Sequence, residues 1–160
     1  MSEFDAFLKL DGINGESVQK GFEQQIEISS WSWGLSNTGT GHVGTGSGSG
    51  KASFQDLSIS KRMDLSSTML IKAVTLGDHI KSGIITVRKS GGTQLSYVQY
   101  EMTEILVSSY SLSSGGDTVY DNFTLNFRTF KITYTPQSET GGAAAGSPFG
   151  YNIAKGETIG

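Results

Sequence analysis

The sequence predicts a mainly β protein: a compact β-barrel of two bent antiparallel sheets, with one flanking α-helix over about 64–77. Three observations predict it. Apolar residues recur at every second position through most of the chain, glycine and polar turn residues punctuate those runs, and two runs change apolar parity midway. Of 160 residues, 36% are hydrophobic and only 17% charged, and the 22 glycines are close to double the average usage of about 7%. Ser, Thr, Gln and Gly fill the charge deficit, as suits sheets with broad polar faces. The length is that of a single domain, 1–160.

The first strand places Ala6, Leu8 and Leu10 on one face, and Asp11-Gly12 and Asn14-Gly15 then supply turn chemistry. In the next run Ile26 and Ile28 share one parity, whereas Trp31, Trp33 and Leu35 take the other. Such a slip needs a bulge or a crossing between sheets. It recurs between Phe123, Leu125, Phe127 and Phe130, Ile132, Tyr134. Two slips favour strongly bent strands over a flat sandwich. Residues 52–60 read as a strand. From Leu65 to Leu76 the spacing of Leu65, Met69, Leu70, Ala73, Val74 and Leu76 is helical, with Asp64 or Ser66 as the cap and Gly77 at the stop. A hairpin follows, 84–89 and 95–107 around Ser90-Gly91-Gly92. Residues 113–117 then turn the chain into a long strand, 119–135, which Pro136 ends. A Gly/Ala/Ser-rich linker, 138–148, leads to a short strand with Phe149, Tyr151 and Ile153.

An extended glycine-rich loop spans 37–50: Asn37, Thr38, Gly39, Thr40, Gly41, His42, Val43, Gly44, Thr45, Gly46, Ser47, Gly48, Ser49 and Gly50. A loop of this length is usually functional or disordered. It has one hydrophobic residue, Val43, and gains little by folding alone, so a surface outside the protomer is expected to hold it. Gly39 to Gly44 matches the dinucleotide-binding string, but more glycine and then a strand follow, where a helix would have to face the pyrophosphate. Gly50-Lys51 is followed by Ala52 and lacks the hydroxyl of a phosphate-cradling loop.

The net charge of −3 excludes an electrostatic claim on nucleic acid. Without cysteine there is no disulfide or thiol chemistry. The acidic start is not that of a signal peptide, and no run is long enough for a membrane helix. This reads as a cytoplasmic protein, open to export by a route that accepts folded chains. His42 lies in the loop and His79 just past the helix, and the carboxylates are scattered singly. No catalytic residue, metal ligand or cofactor is expected. Trp31 and Trp33 share one face; as core residues they leave Ser32 pointing outward, with Ser58, Ser60, Thr124, Asn126 and Arg128 on other polar faces. The alternative is a monomeric carbohydrate-binding β-domain that displays both tryptophans.

The order of motifs resembles the haemolysin-coregulated proteins (Hcp), the tube proteins of type VI secretion. The opening from Phe4 to Gly12 with Gly15-Glu16-Ser17 is similar, as are Trp31-Ser32-Trp33-Gly34 and the glycine loop into Gly50-Lys51-Ala52-Ser53-Phe54-Gln55-Asp56-Leu57-Ser58. Val87 to Gly92, Val107-Ser108-Ser109-Tyr110 and Leu125-Asn126-Phe127 follow in order, so the resemblance covers about 4–155. Tyr151-Asn152 stands where the family has Trp-Asp or Trp-Asn. The resemblance implies a hexameric ring, and rings that stack into an inner tube expelled with a spike from a contractile sheath. It also implies small effector proteins carried in the channel, with the tube secreted or delivered into a target cell after firing. On that frame the loop 37–50 is expected at the ring–ring interface and Ser32 on the channel side, in contact with cargo.

Overall fold

The computed structural model describes residues 4–38, 51–89, 95–137 and 145–160. Its elements run β1 (Phe4–Leu10), β2 (Ile26–Ile28), β3 (Ser30–Ser32), β4 (Leu35–Asn37), β5 (Ala52–Phe54), β6 (Leu57–Arg62), α1 (Leu65–Leu76), β7 (His79–Lys89), β8 (Ser96–Gly115), β9 (Thr118–Tyr134), β10 (Ser147–Asn152) and β11 (Glu157–Ile159). The main sheet follows the order β2-β1-β7-β8-β9, and every ladder in it is antiparallel. The far edge of β9 is shared. β6 pairs with Tyr120–Leu125 and carries β3, whereas β10 pairs with Thr129–Tyr134 and carries β11.

Both parity slips have a structural cause. Along β7, β8 and β9, two rows of inward residues lie at matching levels. Ile80, Ile105 and Phe127 form one row; Gly83, Met102 and Phe130 form the next. Each strand inserts the same extra residue between these rows, so all three change face in step and no register is lost. Glu104 adopts φ +51° at this level, and the Thr103 and Thr129 hydroxyls bond across it. The sheet therefore bends as a unit, where β9 exchanges β6 for β10. Gly83 is required by close approach: a Cβ there would lie 2.8 Å from Leu10 Cδ2 and 2.9 Å from Ile105 Cδ1. The earlier slip is a crossing. β2 pairs with β1 and β3 with β6, and the chain changes partner at Ser29, whose N–H bonds Ser60 O at 2.8 Å. The strands thus curl round one core, with Leu8, Ile26, Leu57, Ile85, Tyr100 and Leu125 fully buried. The barrel is not closed by a ladder; its two margins, β2 and β3, are joined through the chain itself.

Helix α1 begins and ends where the sequence predicts, but it is seated differently. Asp64 is the cap: its carboxylate accepts from Ser66 N at 2.9 Å, and its own N–H donates to Ser67 Oγ at 3.0 Å. Gly77 closes the helix at φ +66°. Of the apolar set, Leu70 and Ala73 are buried, while Leu65 is 70% and Leu76 62% exposed. Ser66 and Ser67 are buried instead. The reason is a polar cluster under the first turn. The Lys61 ammonium, fully buried, lies 2.9 Å from Asp121 Oδ2, from Asp64 Oδ1 and from Ser67 Oγ. Ser67 Oγ and the Tyr110 hydroxyl donate to the same Asp121 oxygen at 2.6 and 2.7 Å. Burial first, and then this hydrogen bond to Asp121, push the Tyr110 phenol above its ordinary range.

Four further points differ from the sequence reading. Phe7 is buried on the opposite face from Leu8, stacked on Phe22 with the Arg88 guanidinium 5.2 Å from its ring, so the 14–25 segment covers that face. Leu35 is 55% exposed because the chain leaves the barrel after Gly34 and, among the described residues, β4 pairs only with β5. The second hairpin strand is longer than expected and reaches Gly115, so that β8 runs directly into the turn before β9. The final strand, β11, has no alternation signal in its three exposed residues.

Candidate functional site

Outside the core, four strands present one continuous polar face. Because Leu57 and Ile59 on β6, and Phe123 and Leu125 on β9, point inward, their neighbours Ser58, Ser60, Asn122 and Thr124 must point out. The register lines these up in two rows. Ser30, Ser60, Asn122 and Ser111 form the first, and Ser32, Ser58, Thr124 and Ser109 the second. Both rows cross β3, β6, β9 and β8 in turn.

Short hydrogen bonds tie this wall together. The Ser60 hydroxyl bonds Asn122 Oδ1. Ser108 and Ser109 each lie 2.6 Å from Thr124 Oγ1. Ser108 is the extra residue of a bulge between Val107 and Ser109, so two successive serines reach the same face. Below them Asp56 accepts from Ser108 Oγ at 2.6 Å and from Asn126 Nδ2 at 2.9 Å, fixing the approach to β6 against both long strands. The two rows offer neutral hydroxyl and amide donors and acceptors. Among the described residues no group of three or more His, Asp or Glu could hold a metal ion.

Ser32 lies exposed on this wall. Its neighbours Trp31 and Trp33 point the other way. Trp31 meets Tyr100 edge-on with 6.1 Å between ring centres, and Trp33 packs on Tyr100, Phe130 and Phe54 at 5.0–6.4 Å. The indole N–H of Trp33 donates to Gln55 O at 2.9 Å. Tyr100 is fully buried, and burial pushes its phenol well above the ordinary range. The tryptophans therefore belong to an aromatic cluster and do not form an exposed platform.

The same cluster roots the glycine-rich loop. β4 and β5 make a two-stranded ribbon in which Leu35 faces Phe54 and Asn37 faces Ala52. Phe54 stacks on Tyr151 at 5.6 Å, so β10 helps to hold the ribbon. Asn37 and Thr38 stand exposed at its end, and residues 39–50 lie outside the described residues.

Parity located Ser32, Ser58, Ser60, Thr124 and Asn126 in the sequence. It missed Ser30, Ser108, Ser109, Ser111 and Asn122, although the alternation of Ser109, Ser111 and Ser113 with Tyr110 and Leu112 carried the signal. Arg128 is exposed, but it lies in the bend itself, away from the two rows.

Comparison with known proteins agrees with this architecture. The family model described as "Type VI secretion system effector, Hcp" matches residues 7–134. Protein hcp1 of Pseudomonas aeruginosa is 46% identical over 154 residues, covering 93% of this chain and 94% of that protein. Among solved structures, a type six secretion system protein superposes with a TM-score of 0.90 at 27% identity, covering 98% of this chain and 99% of the other. Hcp1 from Salmonella typhimurium superposes with a TM-score of 0.84 at 30% identity, covering 99% of this chain and the whole of the other. The chain therefore belongs to the Hcp family of type VI secretion system proteins.

Proposed function

We propose that this chain is the structural subunit of the secretion tube and acts without catalysis. Six copies close into a ring, rings stack into the expelled inner tube, and small effector proteins travel in the channel. The observation that carries this reading is the four-strand wall of uncharged hydroxyls and amides. Such a surface stays hydrated, binds no partner strongly, and suits the lining of a passage through which cargo is loaded and released. Head-to-tail contacts between unlike faces of identical subunits close a ring, and a second pair of faces stacks rings into a filament. The loop 37–50 is assigned to that second contact; the exposed ribbon β4–β5 that presents it supports this. Sheath and spike proteins are the remaining partners. The protein resides in the cytoplasm before firing and afterwards outside the cell or inside a target cell. Among the described residues no helix is long and apolar enough to cross a membrane.

Two variants test the parts separately. Replacing Ser32 by arginine puts a long cation on the wall and is expected to cut co-purification of small effectors while hexameric rings persist by electron microscopy. Broken rings with normal cargo would remove Ser32 from the channel. Deleting 40–49 is expected to abolish stacked tubes and spare single rings; tubes of unchanged length would take the loop out of the ring–ring contact.

A further inference from the structure

Directly below the serine rows the wall changes character. Asn126 follows the Leu57–Leu125 pair and lies opposite Leu106, and Asp56, just before Leu57, shares the outward parity of Ser58 and Ser60. Asp56 is half-buried. Its Oδ2 accepts from Ser108 Oγ at 2.6 Å and its Oδ1 from Asn126 Nδ2 at 2.9 Å. Both donors are neutral. Among the described residues the ion pairs take up Asp5, Asp64 and Asp121 and leave Asp56 without a cation. Holding Ser108 and Asn126 does not require a charge, and a charge costs more to desolvate than a neutral acceptor. Each carboxylate oxygen also has capacity for a second donor. The charge of Asp56 is thus unmatched inside the protomer.

A hollow of about 290 Å³ opens beside this carboxylate. Its polar side is Asp56, Gln55 and Asn126, while Phe54, Phe127 and Ile153 supply apolar surface. Because Asn126 turns its Nδ2 to Asp56, its Oδ1 remains an acceptor at the same place. Acceptors on one side and apolar surface on the other fit a side chain with an aliphatic stem and a cationic head, lysine or arginine. The pocket also communicates with the rows above it. Ser108 bonds both Asp56 and Thr124, so a chain lying along Ser32, Ser58 and Thr124 comes within reach of the carboxylate.

Resting on the ring reading above, we infer that Asp56 anchors lysine and arginine side chains of carried proteins and so makes the channel selective for cargo with a basic face. The stem lies on Phe54, Phe127 and Ile153, and the ammonium or guanidinium group meets Asp56 and Asn126 Oδ1. The neutral rows hydrate any cargo alike; the carboxylate discriminates. Ring symmetry repeats Asp56 at one level in every subunit. A single partly exposed ion pair contributes little, so one contact releases readily. A cargo presenting several cations is held by several anchors at once. Salt screens these contacts and loosens the hold.

The test titrates fluorescein-labelled octalysine, with octaglutamate as its acidic counterpart, into wild-type, Asp56→Asn and Glu23→Gln rings at low salt, read by fluorescence anisotropy. Asp56→Asn keeps the shape and removes the charge. Glu23→Gln removes one exposed charge from the 14–25 segment, off the wall, and so matches it in net charge. Octalysine is expected to bind wild type and Glu23→Gln alike and Asp56→Asn more than about tenfold more weakly, with salt releasing it. Equal affinity in the two variants would overturn the inference. So would wild-type rings that ignore octalysine, or that bind octaglutamate as tightly. Should Asp56→Asn fail to assemble, carbodiimide coupling of octalysine to wild-type rings, mapped by mass spectrometry, decides the matter. Asp56 as the principal coupled residue supports the anchor; coupling elsewhere with Asp56 unmodified contradicts it. A wild type that stays monomeric would instead refute the ring reading itself.

Discussion

Replacing Asp121 by alanine is expected to destabilise the protomer by about 3–5 kcal/mol, a loss typical of breaking a buried ion pair by removing one partner. One Asp121 oxygen accepts from Lys61, Ser67 and Tyr110 together. Its removal leaves a fully buried ammonium whose remaining acidic partner is Asp64, and it unseats the first turn of α1. The cluster also joins β6, α1, β8 and β9, so the end of the barrel should loosen as a unit. Substituting both members, Lys61→Met with Asp121→Leu, removes the orphaned charge and is expected to restore most of the loss. Urea unfolding at fixed protomer concentration separates the cases, since assembly itself shifts apparent stability. If the single and double variants lost equal stability, the cluster would matter for its shape and not for its charges.

The second large effect concerns Phe130, which the bend places at the meeting point of core and loop root. It touches Trp33, Tyr100, Phe54, Phe127 and Phe149 with 5.0–6.3 Å between ring centres. Phe130→Ala should cost about 3–5 kcal/mol through lost burial and the cavity left behind. That is a large part of the roughly 5–15 kcal/mol that stabilises a domain. A specific consequence follows. The ribbon β4–β5 rests on this ring through Trp33 and Phe54, so folded Phe130→Ala protein should show red-shifted tryptophan emission and fewer stacked rings. Normal stacking with the full stability loss would show that the ribbon is held in some other way.

Much of this was legible in the sequence because strand parity is a strict code. The slip between Phe127 and Phe130 marked the bend, and the slip between Ile28 and Trp31 marked the crossing at Ser29. Ser32 could be set outside because its neighbours had to be inside. What parity does not record is what covers a face. Phe7 lies on the face opposite Ala6, Leu8 and Leu10, and is buried only because Phe22 and Arg88 cover it. Lys61 shares parity with Leu57 and Ile59, a hint that it is buried, but its partner Asp121 lies sixty residues away and local pattern could not supply it. The same limit hid the inward serines of α1, whose spacing matches an apolar stripe that in fact faces out at Leu65 and Leu76.

The most direct measurement of the whole account is the mass of the purified protein by light scattering across a range of concentrations. Closed rings predict six times 17.0 kDa, about 102 kDa, with larger stacked species only when the loop is intact. A stable species of 17.0 kDa at high concentration would contradict it.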